Sequence, residues 1–467
     1  MAKPTDISPV AVSLYFLPVT LRVPLKFGAE TVEHLCIARV KMKVRDAAGR
    51  TAVGWGETPL SAAWVWPSPL GYEEREVILQ QFCRELASAW AHFEGSGHPM
   101  EIGHDFEKTL AAQLAKFNEG RAEPVPLLGA LVCCASFDLA LHDAFGVLHG
   151  VPTYETYNAK YMNRDLAAML EPATPAVSFE GLYPEDFLTP RRDQLAAWHL
   201  VGGKDPIRED ELTGEEIVDE YPVLLRDWIR ADRLKCLKIK LRGNDRDWDY
   251  QRLVDVGLVS MQEGVDWLTA DFNCLVHEPD YVNVILDRLL EEYPRIYGML
   301  LYIEQPFPYD LEEHRIDVHS VSARKPLFMD ESAHNWELVR LGRELGWTGV
   351  ALKTCKTQTG ALLSLCWAKA HGMTLMVQDL TNPMLSQVTH ALLAAHAGTI
   401  MGVETNSMQF YPAASRAEEI VHPGLFKRRD GEIDLGTVRG PGFGYRLEEI
   451  ERELPAPECE VCRGDHG

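Results

Sequence analysis

Eight short apolar runs alternate with helix-patterned stretches over the second half of this chain, at residues 198–201, 236–240, 267–271, 299–304, 326–330, 350–353, 374–377 and 399–404. Short apolar runs separated by helical segments read as parallel strands joined by helical crossovers. Eight is the strand number of a βα barrel. Five successive runs end in charge, at Lys240, Asp271, Glu304, Asp330 and Lys353, spaced by 31, 33, 26 and 23 residues. Each interval holds one helix, one strand and two short loops. The C-terminal ends of barrel strands all face one mouth, so these five side chains are expected to converge there. A random scatter of surface charge would not keep that phase.

The rest of the 467 residues surrounds this unit. Residues 10–57 alternate with period two around a turn at 46–49 and read as strands; residues 72–149 carry helical spacing. Strands followed by helices make an α+β unit over 1–150. Five prolines between 151 and 192 mark 151–194 as an inserted or connecting segment, followed by the barrel at 195–407 and a closing segment with a tail at 408–467. Lys plus Arg total 46 against 69 Asp plus Glu, a formal charge of −23, which argues against nucleic acid as a partner. Ten cysteines, mostly inside apolar runs, fit reduced thiols. No leader pattern opens the chain, and its longest apolar stretch, near 127–147, is broken by Asp138, His142 and Asp143. No membrane partner and a cytoplasmic location are therefore expected.

Three carboxylates at close range, Asp271, Glu304 and Asp330, repel unless a cation lies among them. Oxygen ligands suit a hard divalent ion, Mg²⁺ first and Mn²⁺ next. Any one of them alone would read as a helix cap. Lys238 and Lys240, two apart on a strand, face the same interior. Mutual repulsion would lower the pKa of one enough to serve as a base near neutrality. The alternative is a salt-bridge network with the acids.

In that order, Lys238-Ile239-Lys240, Asp271-Phe272-Asn273, Ile303-Glu304-Gln305-Pro306, Met329-Asp330-Glu331-Ser332 and Leu352-Lys353-Thr354-Cys355-Lys356 resemble the enolase superfamily. Within it they resemble the mandelate racemase/muconate lactonizing enzyme family, above all its muconate-lactonizing subgroup. The tail, with Asp430-Gly431 and Gly440-Pro441-Gly442-Phe443-Gly444, is similar to the family's closing segment. The resemblance implies an α/β fold, a modified (β/α)8 TIM barrel with an N-terminal α+β capping domain. It implies metal ligands at Asp271, Glu304 and Asp330, acid/base lysines at Lys240 and Lys353, a supporting lysine at Lys238, and Asn273 and Glu331 behind the ligands. Mg²⁺-dependent removal of the proton α to the carboxylate of a small-molecule substrate, through an enediolate, follows. The outcome is a cycloisomerisation, racemisation or epimerisation. The alternatives are a carboxylate lyase or dehydratase and, further off, a non-catalytic barrel. A homo-oligomer is expected.

The chain also departs from the pattern. Gln378-Asp379 ends the seventh run, where the mandelate-racemase subgroup carries His, and Thr359-Gly360 stands where paired glycines are usual. Dipeptide epimerases carry an acidic pair at the eighth strand; this chain has Glu404 and Asn406. Trp64 and Trp66, in a loop after an early strand, and Arg22 and Phe27, in the first capping loop, are candidate substrate contacts. Cys459 and Cys462, with His466, form an incomplete zinc pattern.

Overall fold

The structure, a computed structural model, describes residues 2–27 and 30–464, with backbone only at 26 and 27. The first unit is an antiparallel sheet of β1 (Ile7–Phe27), β2 (Glu30–Asp46) and β3 (Thr51–Pro59), followed by α1 (Ala62–Val65), α2 (Tyr72–Ala91), α3 (Pro99–Phe117) and α4 (Leu127–His149). Gly54 and Gly56 let α4 lie flush on β3. A Cβ on either would come within 2.1 Å of the backbone of Ala144 or Ser136. By length and composition α4 could cross a membrane; instead it is almost wholly buried inside the fold, with Asp138, His142 and Asp143 among its buried residues.

The barrel follows in β/α order. Its elements are β4 (Gln194–Val201), α5 (Leu225–Asp232), β5 (Cys236–Lys240), α6 (Arg246–Glu263), β6 (Trp267–Asp271), α7 (Pro279–Glu292), α8 (Pro294–Met299) and β7 (Leu300–Glu304). They continue with α9 (His319–Ser322), β8 (Leu327–Met329), α10 (Trp336–Leu345), β9 (Gly349–Leu352), α11 (Gln358–Ala370), β10 (Thr374–Val377), α12 (Met384–Ala397) and β11 (Val403–Glu404). The eight strands run parallel in the order β10-β9-β8-β7-β6-β5-β4-β11. Across the remaining seam, the Ile400 N–H donates to the Leu375 carbonyl at 2.8 Å. This is the α/β barrel with an antiparallel cap. It is modified at β4, which starts at 194 because β12 (Glu432–Asp434) pairs antiparallel with residues 194–196. Trp198, Cys236, Tyr302, Phe328 and Met376 plug the interior, with Tyr302 stacked on Phe328 at 4.3 Å.

The proline-rich stretch runs along the outer helices of the barrel. The Trp367 indole donates to the Glu171 carbonyl at 2.9 Å, and the Thr189 N–H donates to the His396 carbonyl at 2.8 Å. It is thus pinned to α11 and α12 by backbone groups that have no strand or helix partner of their own. After the barrel the chain returns to the cap, where β13 (Cys459–Cys462) pairs with β1.

Candidate active site

β5 carries two lysines to the mouth because alternate residues of a strand share a face. The Lys238 ammonium donates to Glu304 Oε1 at 2.6 Å and Glu404 Oε2 at 3.1 Å, and lies 3.2 Å from Asp271 Oδ2. Lys240 donates to Asp271 Oδ2 and, at 2.9 Å, to Asn273 Oδ1. The chain turns at Asn273 and Cys274, with φ of 53° and 63°, which returns the Asn273 N–H to Asp271 Oδ1 at 2.9 Å.

On the far side, Lys353 lies 3.2 Å from Asp330 Oδ2 and donates to the Asp379 carbonyl at 2.8 Å. Lys356 donates to the Asp330 carbonyl and lies 3.5 Å from its Oδ1. Glu331 accepts the Trp64 indole N–H at 2.9 Å. Glu404 accepts from the Asn406 amide at 2.8 Å, and Gln378 donates to Glu304. Lys238, Glu304, Asp330 and Lys353 are all at most 3% exposed.

At Lys238 the carboxylates, not the neighbouring lysine, set the charge. Burial by itself would lower the Lys238 pKa, but Glu304, Glu404, Asp271 and Asp330 together raise it well above the ordinary range. Lys353 is raised against its burial by Asp330. The carboxylates outweigh lysine–lysine repulsion, so Lys238 is held as a cation rather than primed as a base. Burial pushes Asp271 up, yet Lys240 and Lys238 bring it below the usual carboxylate range. Burial, with Asp271 next, raises Glu304 well above that range. Burial and then Asp330 lift Glu331 to about 7, and burial and then Glu404 lift Asp379 to about 7.

Six carboxylates (Asp271, Glu304, Asp330, Glu331, Asp379 and Glu404) meet four ammonium groups (Lys238, Lys240, Lys353 and Lys356) in this cluster. Asp330 Oδ1 and Glu331 Oε2 are buried and receive no hydrogen bond. Lys238 stands between Asp271 and Glu304, and among the described residues no three acidic, His or Cys side chains are gathered as a ready coordination shell.

The structure brings Asp271, Glu304, Asp330, Lys238, Lys240, Lys353, Asn273, Glu331, Trp64, Glu404 and Asn406 together. It does not bring Arg22, whose guanidinium clasps Asp219 at 2.6 Å and the carbonyls of Tyr221 and Pro222. Trp66 is buried in the cap core, its carbonyl accepting from Arg75. The Phe27 side chain and His466 lie outside the described residues. Cys459 and Cys462, three apart on a strand, face opposite ways and do not converge. Lys356, Gln378 and Asp379 are additional members; Lys356 lies within a quoted motif, but nothing in its spacing separates it from a surface lysine.

No curated protein matches the chain by sequence. Residues 220–451 match the family described as enolase C-terminal domain-like, MR_MLE_C. Among solved structures, the N-succinyl Arg/Lys racemase of Bacillus cereus is similar with a TM-score of 0.61 at 16% identity, over 97% of this chain and 99% of that one. The muconate lactonizing enzyme of Pseudomonas fluorescens, complexed with muconolactone, gives 0.57 at 16%, over 95% and 99%. The L-Ala-D/L-Glu epimerase of Bacillus subtilis gives 0.57 at 16%, over 94% and 98%. Residues 220–451, which take in the barrel from α5 onward, thus belong by sequence to the enolase C-terminal domain-like family of the mandelate racemase/muconate lactonizing enzymes, and cap and barrel together share the fold of its solved structures.

Proposed function

We propose that this protein is a Mg²⁺-dependent enzyme that removes the proton α to the carboxylate of a small substrate, with Lys240 and Lys353 as the proton-transfer pair. The observation that carries the reading is their placement. Lys240 ends β5 and Lys353 follows β9, and these are the second and sixth strands of an eight-membered ring counted from β4. They therefore stand on opposite sides of whatever occupies the mouth.

The residues fit the metal by donor chemistry: three carboxyl groups on adjacent strands, a buried Asp330 oxygen without a donor, and two more carboxyl groups than lysines. Asp271, Glu304 and Asp330 would hold it, and a bound Mg²⁺ would supply positive charge beside the substrate carboxylate, which makes the proton α to that carboxylate more acidic. Lys240, oriented by Asn273, takes or returns a proton on one face; Lys353, oriented by the Asp379 carbonyl, serves the other. Lys238 stays cationic and fixes Glu304 and Glu404. Two lysines on opposite faces support racemisation or epimerisation, and one working alone supports cycloisomerisation. The solved neighbours are a racemase, an epimerase and a lactonizing enzyme, which agrees with that range.

The test is α-proton exchange. The protein is incubated with Mg²⁺ in D₂O and pools of dipeptides, N-acyl amino acids, acid sugars and muconolactones, and α-deuteration is followed by NMR. Exchange is expected to require the metal. Lys240→Ala and Lys353→Ala should each abolish exchange from one enantiomer of an active substrate. Exchange that survives from both enantiomers in both variants would overturn the reading. An unsaturated or keto product would move the reaction to the lyase class.

A further inference from the structure

We propose that Trp64 is a positioning residue, delivered by the cap, that holds the Lys353 side of the mouth in place. It sits in the short helix α1, directly after the sheet, and is 8% exposed. Its ring centroid lies 5.4 Å from the Lys353 ammonium and 5.6 Å from that of Lys356, within reach of a cation–π interaction with both. Its indole N–H, at the ring's polar edge, donates to Glu331 Oε1 at 2.9 Å. One side chain thus touches three charged groups carried by two consecutive barrel loops, those after β8 and β9.

Lys353 needs such a wall. Its other recorded partners, Asp330 Oδ2 and the Asp379 carbonyl, lie on barrel segments, and they leave part of the ammonium free to point elsewhere. An aromatic face accepts an ammonium without taking a proton from it. A Leu at this position would fill space but offer no quadrupole, and a Phe would offer the face without the N–H. Lys240, across the ring, has no recorded contact with Trp64. The arrangement makes Lys353 depend on the cap being in place, whereas Lys240 depends only on β5 and the loop after β6.

The consequence for catalysis rests on the role proposed above for Lys353, but the test does not. The full-length protein is treated, without substrate, with formaldehyde and a borohydride reductant, and methylation of each lysine is timed by peptide mass spectrometry. Trp64→Leu is expected to speed modification of Lys353 and Lys356 about tenfold and to leave Lys240 within about twofold of the parent. Trp64→Phe should keep Lys353 and Lys356 close to the parent rate. The proposal is overturned if Trp64→Leu leaves Lys353 unchanged, or if all four site lysines accelerate together, which would mean that the cap has simply opened. It is equally overturned if Phe behaves like Leu. Failure of the exchange experiment would leave these rates untouched, so the two ideas fall separately.

Discussion

Lys238 shows how a single side chain is read differently from sequence and from structure. Its phase with Lys240 is legible, because strand period alone puts both in the barrel. Its role is not, because Glu304 and Glu404 lie 66 and 166 residues away and only the closed ring brings them to it. Arg22 is the same case: a candidate substrate contact by position, it is taken up by Asp219, 197 residues on. Removing one partner of a buried ion cluster leaves uncompensated charge, at a cost of about 3–5 kcal/mol. Lys238→Ala is therefore expected to lose about that much stability in urea unfolding, and adding Glu404→Gln should recover part of it. A Lys238→Ala variant as stable as the parent would mean that the cluster is not held by that ammonium.

At the scale of elements, the cap helices reach under the loop that carries Lys353 and Lys356. Asp138 on α4 accepts from both the N–H and the hydroxyl of Thr359, at 2.9 and 2.8 Å, and Glu107 on α3 accepts from the Thr357 hydroxyl. Strand and helix order were legible in the apolar periodicity. This junction was not, since a buried Asp in an apolar helix gives no sign of what it meets. Burial, and then Asp138, raise Glu107 from the ordinary 4.5 to about 8. Its folded value lies above its unfolded one, so the folded chain holds the extra proton across that interval. Stability is greatest below about pH 4.5 as far as this group is concerned, and is lost as pH rises towards 8. Melting temperatures measured from pH 5 to 8.5 should fall for the parent and fall less for Glu107→Gln, which keeps an acceptor for Thr357 and cannot ionise. Parallel curves for the two proteins would remove Glu107 from the account.

The whole molecule carries a formal charge of −23, and its mouth likewise gathers more carboxyl groups, six, than lysines, four. Because most of the cluster is buried, solvent screens its charges far less than it does those at the surface. A divalent cation that binds the folded state alone stabilises it, by about 2.7 kcal/mol at a hundredfold excess over its Kd. Mg²⁺ added to chelator-treated protein is thus expected to raise the melting temperature in a saturable way, with Mn²⁺ acting similarly. Sodium chloride at matched ionic strength should not reproduce the effect, because generic screening has no saturation point. Asp271→Asn and Glu304→Gln should blunt the Mg²⁺ response. Both remove an ionisable carboxyl group, so each variant must be compared with and without metal rather than with the parent. A parent melting curve indifferent to Mg²⁺ at every concentration would sink the metal reading. The lysine–carboxylate network would then be the whole electrostatic content of the site.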